Sequence, residues 1–461
     1  MKTTINPPVA ILGFGVEGHS ALAYLQGIGI KDITICDEKL TEAELLAQTP
    51  LLFKERTPEG QERLKGFVRF QNSFNDLSKF NTIIRSPGVY YKHPEILEAI
   101  ENGITVTSMT KLTLEVGSER LTAITGSNGK TTTTALIAEI LKKHYNGKIV
   151  VGGNDRQPAL QGAIDNPDWP ILMEVSSFQF ADLKQSPHIS AVLNITPNHM
   201  DWHEDLEDYI NAKNNLIKHQ KKGDWAVLNA NNEDSAKLAD SAPGKVFWIG
   251  AKRGKNWADW INDNIVVNDE VIIAHDEIKV KTHPDNLLFV SAIAKLHGVE
   301  NETIVSVMKE FKGVEHRLEF VRELNGISFY NDSSCTTPES SEVAIEQFPQ
   351  GKLILMLGGS SKNADFSFLA GKIKDNDVRA YLYGLEGARI KDELEKIGAE
   401  NLIITYNTDK NFENVVKDVY KNAKSGDNVV LSPACASFDM FKNAKYRGNQ
   451  FREIVMKLSE L

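Results

Sequence analysis

The feature that most limits the possible folds of this chain is a glycine-rich loop between an apolar run and a helical pattern. The apolar run ends at Ile124, residues 125–134 read TGSNGKTTTT, and the helical pattern continues from Ala135. A strand, a glycine turn and a helix in this order present unpaired backbone N–H groups at the positive end of a helix dipole, which suits a phosphate group. The loop therefore predicts an α/β domain that binds a nucleotide.

The side chains of this loop suit nucleotide phosphates. Asn128 and Gly129 fit a turn with positive φ, Lys130 can contact the outer phosphates, and the Thr131 hydroxyl can ligate a bridging Mg²⁺. The common G-x-x-x-x-G-K-[ST] pattern is incomplete, because Ile124 stands at the first glycine position. An ordinary turn with a surface lysine is the alternative, and the combined residue types argue against it. The predicted nucleotide ligands are Gly126, Ser127, Asn128, Gly129, Lys130, Thr131 and Thr132.

The rest of the chain alternates short apolar runs with helical patterns, which predicts parallel sheets with helices on both faces. A length of 461 residues predicts about three domains. We expect a Rossmann-like domain at residues 1–107 and an ATPase-like α/β domain at 108–314. A second Rossmann-like domain is expected at 315–461. Polar turns between short strands in residues 245–281 predict a small antiparallel sheet on the central domain.

Composition excludes several classes of protein. The net charge of −10 leaves no dominant basic face for nucleic acid or an anionic membrane. Cys36, Cys335 and Cys435 are far apart and lack metal-ligand spacing, which indicates reduced thiols. The first residues lack the apolar core of a signal peptide, and no run approaches the ~18 apolar residues of a membrane span. We therefore expect a cytoplasmic protein without a membrane span.

A second glycine turn lies near the N-terminus, where Gly13, Gly15 and Gly18 follow an apolar strand and open a helix. Asp37 ends the next strand at about the spacing at which a carboxylate meets a ribose. A turn at 86–88, which ends with Gly88, would border the same crevice. This arrangement predicts a diphosphate pocket, although glycines that serve only helix packing would give the same pattern.

The central segment contains a possible set of metal ligands at strand ends. Glu174 ends one apolar run, His199 and Asp201 follow another, and Lys213 lies in a helical pattern. Carboxylate and imidazole groups beside a nucleotide loop can bind its metal ion. Each residue taken singly also fits a packing, capping or solvated role.

Three polar loops of the last domain each follow an apolar strand, at 332–336, 358–362 and 432–438. Carboxyl ends of parallel strands share one sheet edge, so these loops are expected to meet there. Small polar residues with one lysine suit a ligand that contains a carboxylate. Ordinary turn chemistry is the alternative for each loop.

The order of these motifs along nearly the whole chain resembles the Mur ligases, ATP-dependent enzymes that form amide bonds in peptidoglycan precursor synthesis. The similar segments are TGSNGKTTT, GGND at 152–155, EVSSFQ at 174–179, NITPNHMDWH, AKNNLI, GVEHRLE at 313–319 and NDSSCTT. The N-terminal turn, LGGSSK and SPACASFDMFKNAKYRG are most similar to the branch that adds glutamate. The resemblance implies that ATP and two Mg²⁺ ions support addition of D-glutamate to UDP-N-acetylmuramoyl-L-alanine through an acyl phosphate. It also implies a cytoplasmic monomer.

The resemblance assigns roles to particular residues. It implies that Lys130, Glu174, His199 and Lys213 are catalytic. Metal ligands would be Thr131, Glu174, His199 and a carbamylated Lys213. Further ATP contacts are expected from Asn286, Arg317 and Asp332. Contacts with the UDP-sugar are expected from Gly15, Val16, Glu17, Asp37, Gly88 and Asn154. Contacts with the amino acid are expected from Thr336, Lys362, Ser437 and Phe438.

Some positions depart from the family pattern. Ser334 stands where a lysine is frequent, Ala444 where an aromatic residue is frequent, Phe289 where an asparagine is expected, and Asp155 and Arg156 where small apolar residues are usual. These changes leave ATP use intact and keep L-glutamate or another amino acid as an alternative substrate. A folylpolyglutamate synthase would lack the N-terminal glycine turn. A nicotinamide-dependent dehydrogenase or a nucleotide-binding regulator is the alternative from a different class.

Overall fold

A computed structural model describes residues 3–41, 44, 68–153, 158–197, 199–200, 202–278, 280, 282–360 and 364–459. Their contacts divide the chain into two compact units. The first comprises residues 1–274 and 288–304, and the second comprises residues 275–287 and 305–461. Two sheets belong to the first unit and one to the second.

The N-terminal sheet is entirely parallel, with strand order β3-β2-β1-β4-β5. Its strands are Val9–Leu12 (β1), Ile33–Cys36 (β2), Val68–Gln71 (β3), Thr82–Arg85 (β4) and Thr105–Thr107 (β5). The associated helices are Val16–Gly27, Pro94–Glu101 and Met109–Gly117. β1 and β2 are buried along their whole length because helices cover both faces, so both read as continuous apolar runs. The order reverses at β1, which places the turn after β1 at the crevice where such sheets bind ligands.

The central sheet has nine strands in the order β14-β13-β12-β11-β10-β9-β6-β8-β7. They are Leu121–Thr125 (β6), Val150–Gly153 (β7), Ile171–Glu174 (β8), Ile189–Val192 (β9), Trp225–Asn229 (β10), Lys245–Ile249 (β11), Trp257–Ile261 (β12), Asn264–Val267 (β13) and Glu270–Ala274 (β14). The helices are Lys130–His144, Leu160–Asp165, Ser177–Phe180, Leu206–Asn214 and Glu233–Lys237. Helices Pro284–Leu296 and Asn301–Glu310 follow, where the chain passes between the two units.

The predicted small antiparallel sheet was partly wrong. β11 is parallel to β10, and β12 is parallel to β11, so these strands extend the main sheet. Only β12–β13 and β13–β14 pair antiparallel, and both pairs continue the same sheet. The described residues of 277–281 lie outside any strand. Two-residue turns between apolar runs predict hairpins, but they do not reveal which neighbour the first strand joins.

The sheet of the second unit has the order β15-β16-β20-β17-β18-β19, with β15 antiparallel at one edge. Its strands are Glu319–Leu324 (β15), Ile327–Asn331 (β16), Leu353–Gly358 (β17), Arg379–Tyr383 (β18), Ile403–Asn407 (β19) and Asn428–Leu431 (β20). The helices are Pro338–Glu346, Ser367–Asp375, Gly387–Lys396, Phe412–Asn422 and Ala444–Lys457. Two apolar clusters cover the faces of this sheet.

The three α/β sheets fit the predicted fold class, while the exact domain boundaries stay a prediction. In the described part of the chain, no helix is both long and apolar enough to cross a bilayer. Cys36, Cys335 and Cys435 are buried free thiols.

Candidate active site

The glycine-rich loop after β6 is fixed by hydrogen bonds to the segment that follows β9. The hydroxyl of Ser127 donates to the carbonyl of Thr196 over 2.9 Å, and the amide N–H of Asn128 donates to Oδ1 of Asn194 over 2.9 Å. Gly129 has φ +83° and precedes the helix Lys130–His144. The loop is therefore a preformed turn at a helix N-terminus, as the sequence predicted.

The lysine and threonine that open this helix lie at the loop. The ammonium of Lys130 donates to the carbonyls of Gly126 and Ser127 over 2.9 and 3.1 Å. The hydroxyl of Thr131 donates to Oε1 of Glu174 over 3.1 Å. Glu174 is buried at the end of β8, beside β6. A hydroxyl and a carboxylate thus meet next to a cationic loop, as a nucleotide-bound Mg²⁺ requires.

Lys213 lies beneath the same loop and is 1% exposed. Its ammonium donates to the Thr125 hydroxyl over 3.3 Å and stands 4.5 Å from the ring centre of Tyr209. Burial lowers the pKa of Lys213 well below its usual value, and the charge of Lys130 adds to this effect. Among the described residues, no carboxylate forms an ion pair with Lys213. Burial and the neighbouring charge of Lys130 thus both act against the ammonium form of Lys213.

His199 has φ +59° and is exposed, and its ring packs edge-on against Phe178 at 4.8 Å. Its carbonyl accepts hydrogen bonds from the amides of Trp202 and His203. Asp201 lies outside the described residues. No group of three or more His, Cys, Asp or Glu side chains in the described ranges forms a metal site. The Thr131–Glu174 pair still fits Mg²⁺, which takes few protein ligands beside phosphate and water oxygens.

A pocket of about 500 Å³ lies at the N-terminal glycine turn. It is lined by five of the six residues predicted to contact the UDP-sugar, namely Gly15, Val16, Glu17, Asp37 and Gly88. Ser176, Phe178 and Gln179 of the EVSSFQ segment line it from the central sheet. The sixth predicted residue, Asn154, lies outside the described residues. The two glycine turns therefore border sites that share the segment after β8.

The shape of this pocket depends on glycines and on the Asp37 carboxylate. Gly13 has φ +79°, and a Cβ at Gly18 would stand 2.3 Å from the Gly13 carbonyl oxygen. Asp37 accepts hydrogen bonds from the backbone amides of Phe14, Lys39 and Leu40 over 2.8, 2.9 and 3.1 Å. Oδ2 of Asp37 thus holds the glycine turn, while Oδ1 holds the segment that follows β2.

A buried arginine that the sequence did not indicate lies next to residues that line the pocket. Arg85 ends β4 and is 1% exposed; its guanidinium donates to the Val89 carbonyl over 2.8 Å and pairs with Asp182 over 2.9 Å. Lys111 pairs with the same carboxylate over 2.6 Å. Burial raises the pKa of Asp182, but the charges of Arg85 and Lys111 outweigh it and lower the pKa overall. This ion triad joins the first two sheets.

In the second unit, a buried arginine organises the predicted amino-acid loops. Arg447 is 0% exposed. Its guanidinium donates to the hydroxyl and carbonyl of Ser333 over 3.0 and 2.9 Å, and to the carbonyls of Ala436 and Cys435 over 3.2 Å each. A Cβ on Gly359 would stand 3.2 Å from the same guanidinium. The loops after β16, β17 and β20 therefore meet at Arg447, as the shared sheet edge predicted.

Asp332 and Ser437 are buried within these loops. Asp332 accepts from the Ser432 hydroxyl over 2.8 Å and from the Leu318 amide over 3.2 Å. Burial raises the pKa of Asp332 to about 7, against the lowering effect of these hydrogen bonds. Phe438 is 73% exposed. An exposed ring beside a buried serine leaves a surface onto which a ligand can pack.

The remaining predicted residues of the second unit are placed as follows. Thr336 is partly buried in the loop after β16. Asn286 is 4% exposed and donates to the Thr282 hydroxyl over 2.9 Å. Arg317 lies between His316 and Leu318, both of which have positive φ. Lys362 lies outside the described residues.

Comparisons with known proteins decide the family. The model of the Mur ligase middle domain matches residues 124–284, and the model of the Mur ligase, glutamate ligase domain matches residues 316–435. The UDP-N-acetylmuramoylalanine--D-glutamate ligase of Acetivibrio thermocellus is 34% identical over 469 residues, which cover 98% of this chain and 97% of that protein. The chain belongs to the Mur ligase family. The predicted resemblance is thereby confirmed.

Other relatives of this Mur ligase agree. A ligase of the same name from Natranaerobius thermophilus is 36% identical over 465 residues, covering 97% of each chain. The solved structure of UDP-N-acetylmuramate-alanine ligase from Thermotoga maritima has a TM-score of 0.58 at 18% identity, and the match covers 97% and 99% of the two chains. The structure of a MurF ligase from Thermotoga maritima in complex with ADP has a TM-score of 0.56 at 18% identity, with 92% and 95% covered. At such identities the structures support the fold.

The Mur ligase site includes residues that the sequence did not indicate. His203 is buried, with Nδ1 2.7 Å from Oδ2 of Asp208 and Nε2 2.9 Å from the Ser177 hydroxyl. Burial lowers the pKa of His203, while Asp208 opposes this effect. His203 thereby fixes the helix after β8, next to Phe178 and Gln179 of the pocket. The only sequence signal was the short spacing of two histidines, His199 and His203, at one strand end.

Two departures from the family pattern have structural consequences. Ala444 begins the helix Ala444–Lys457, and its carbonyl accepts a hydrogen bond from the Ser333 hydroxyl over 2.7 Å. Ser334 is partly buried, and its amide donates to the His316 carbonyl over 3.1 Å. Both positions therefore belong to the framework of the amino-acid loops. Asp155 and Arg156 lie outside the described residues, and Phe289 is fully buried.

Proposed function

We propose that this Mur ligase joins D-glutamate to UDP-N-acetylmuramoyl-L-alanine at the expense of ATP, as a step of peptidoglycan precursor synthesis. The observation that most supports this proposal is the identity of 34–36% over nearly the full chain to relatives with that name. The preformed phosphate loop, the pocket at the N-terminal turn and the loops at Arg447 provide three sites for three substrates.

The first half-reaction is assigned to the phosphate loop. A substrate carboxylate is a poor electrophile, so its oxygen attacks the γ-phosphorus of ATP, ADP leaves, and an acyl phosphate forms. Lys130 holds and neutralises the transferring phosphate, and the loop amides orient it. Thr131 and Glu174 would hold Mg²⁺, which supplies charge neutralisation on the phosphate oxygens.

The second half-reaction joins the amine to the activated carbonyl. The amino group of glutamate attacks the acyl phosphate carbon, phosphate leaves, and the amine loses a proton. The proposed amino-acid site comprises Thr336, Lys362, Ser437 and Phe438 at the sheet edge of the second unit. Asn286, Arg317 and Asp332 are proposed as further ATP contacts. We assign His199 to the metal rather than to proton transfer.

Lys213 is proposed to be carbamylated. A neutral buried amine can add CO₂, which turns a cationic side chain into an anionic ligand for a second Mg²⁺. The burial of Lys213 and the depressed pKa of its amine support this modification. An unmodified ammonium at this position would repel both Lys130 and a metal ion.

A monomer in the cytoplasm is part of the same proposal. The proposed catalytic groups all belong to one chain, so no second copy is required. The three buried thiols and the UDP-linked substrate favour a reducing compartment. Light scattering of the purified protein would check the monomer, and a stable dimer would contradict it.

The proposal is tested with the purified full chain, ATP, Mg²⁺ and UDP-N-acetylmuramoyl-L-alanine, with D-glutamate, L-glutamate or other amino acids added in turn. We expect phosphate release and a product one glutamyl residue heavier with D-glutamate only. Phosphate release that depends on L-glutamate or another amino acid would show that the enzyme adds that amino acid instead of D-glutamate. No amino-acid-dependent release, together with tight NAD binding, would overturn the assignment.

A further inference from the structure

The carboxyl group of Glu17 is unexpected in a pocket proposed to hold a diphosphate. Glu17 is the second residue of the helix Val16–Gly27 and lines the pocket. The N-terminus of a helix normally attracts a phosphate, but an ionised carboxylate at the same point repels it. The protonation state of Glu17 therefore decides whether this turn favours or opposes the ligand.

The hydrogen bonds of Glu17 involve only one of its two carboxyl oxygens. The amide Nε2 of Gln179 donates to Oε1 of Glu17 over 2.6 Å. The amide orientation of Gln179 is fixed, because its own Oε1 accepts from the Ser176 backbone N–H over 2.9 Å. Oε2 of Glu17 is buried and has no hydrogen-bond partner among the described residues. A buried oxygen without a partner is costly as an anion and serves as a donor once protonated.

The charged groups around Glu17 come from four neighbouring segments. Asp37, Glu38 and Lys39 follow β2, and both oxygens of Asp37 accept backbone amides. Arg85 ends β4, and Tyr90 and His93 follow it. Arg85 forms an ion pair with Asp182, which follows the EVSSFQ segment. His19, on the same helix as Glu17, packs against Phe14. Among the residues of these segments that the structure describes, no cation forms an ion pair with Glu17.

We propose that Glu17 binds the diphosphate of the nucleotide substrate as a neutral acid, with Oε2–H donating to a phosphate oxygen. When Glu17 is ionised in the free enzyme, binding takes up one proton from solvent onto Oε2, and no other bond changes. The inference rests on the proposed function, because it takes the ligand to be a UDP-sugar.

The electrostatic setting agrees with this role. Burial raises the pKa of Glu17 to about 7, against the lowering effects of Gln179 and Arg85. The nucleotide should therefore bind with constant affinity at acidic pH and lose about tenfold for each pH unit well above this value. ATP and glutamate bind elsewhere, so their affinities should not follow this dependence.

Calorimetric titration of the full chain with UDP-N-acetylmuramoyl-L-alanine tests the proposal. Titrations at about pH 6, 7 and 8, in two buffers of different ionisation enthalpy, give both Kd and the number of protons taken up. For the wild type we expect Kd to rise about tenfold from pH 6 to pH 8, with nearly one proton taken up at pH 8. Glu17→Gln keeps a donor and the bond to Gln179, so its Kd should be independent of pH, with no proton uptake.

Two variants serve as controls. Glu38→Gln removes an exposed carboxylate that lines the same pocket, and His93→Gln removes an imidazole that lines it. Both should retain the pH dependence of the wild type. Loss of the dependence in His93→Gln, or its persistence in Glu17→Gln, would overturn the role of Glu17.

The same titrations distinguish a failure of the Glu17 inference from a failure of the proposed function. If the nucleotide binds and is ligated, but Kd is independent of pH in the wild type, the Glu17 inference alone fails. If the nucleotide does not bind at any pH while the variants remain folded, both proposals fail.

Discussion

The two glycine turns of the first unit have the same strand–turn–helix plan but differ in charge. The turn after β6 opens a helix with Lys130 and Thr131, and Glu174 faces the threonine hydroxyl. The turn after β1 opens a helix with Val16 and Glu17, and Asp37 holds its backbone. Under the proposed function, the turn after β6 provides charge for phosphoryl transfer, whereas the turn after β1 provides shape for substrate recognition.

The largest effect is expected from Lys130→Ala, which removes the cation that distinguishes the two turns. Loss of a donor aimed at a transferring phosphate should lower kcat by about 10²–10³-fold. The side chain is only partly buried and bonds to its own loop, so the melting temperature should stay close to that of the wild type. Steady-state phosphate release checks this. Retained turnover would show that Lys130 is not part of the reaction.

Lys213→Met tests the carbamate proposed for the buried lysine beneath the same loop. Removing the carbamate should lower activity by about 10–100-fold, as loss of a metal-site group does. A small carboxylate added to Lys213→Ala should restore part of this activity. Full activity of either variant would argue against a carbamate.

Lys213→Met should also be more stable than the wild type in CO₂-free buffer. The lowered pKa of Lys213 means that the unfolded chain binds a proton that the folded chain lacks. This costs stability at neutral pH, and the cost falls as pH rises toward the usual lysine value. The methionine side chain has no proton to lose, so the gain in melting temperature should shrink in alkaline buffer. A lower melting temperature of Lys213→Met at pH 7 would contradict the lowered pKa of the buried amine.

Gly18→Ala and Gly15→Ala, both at the turn after β1, distinguish the backbone packing of this turn from its direct contact with the substrate. A Cβ at Gly18 would stand 2.3 Å from the Gly13 carbonyl, whereas a Cβ at Gly15 would have no atom within 4 Å. We expect Gly18→Ala to destabilise the protein by about 1–3 kcal/mol. Gly15→Ala should leave stability unchanged and raise only the KM for the UDP-sugar. Denaturant unfolding and substrate titrations measure both effects, and equal stability of the two variants would contradict this packing.

The smallest effect is expected from Asp37→Asn. The amide oxygen of asparagine can still accept from Phe14 N–H, but its NH₂ group cannot accept from the backbone amides of Lys39 and Leu40, which costs about 1 kcal/mol. The KM for the UDP-sugar should rise while the KM for ATP stays constant. Glu38→Gln is the matched control, because Glu38 is exposed at the same strand end. An equal effect of both variants would show that Asp37 contributes only general charge.

Local patterns in the sequence were sufficient to predict the positions of the turns and of most strands. The loop at 125–134, the N-terminal glycines and the three polar loops of the second unit lie at strand ends, where the alternation of apolar and helical segments placed them. The strands β3, β5, β7, β12 and β15 were not predicted. All of them except β12 lie at a sheet edge, and β12 is interrupted by the polar residue Asp259.

The partners of the site residues could not be predicted, because they are distant in sequence. Gln179 and Glu17 are 162 positions apart, and Arg447 lies 114 positions from Ser333. The burial of Lys213 was likewise invisible, since a lysine in a polar helix normally lies in solvent. The structure was therefore needed to identify the site residues that act through such long-range contacts.

The central claim is that the phosphate loop activates a substrate carboxylate as an acyl phosphate. It is tested most directly with UDP-N-acetylmuramoyl-L-alanine labelled with ¹⁸O in its terminal carboxylate, incubated with ATP, Mg²⁺ and D-glutamate. The account predicts that each phosphate released contains one ¹⁸O atom, because the bridging oxygen leaves with the phosphate. Unlabelled phosphate formed together with the amide product would contradict it.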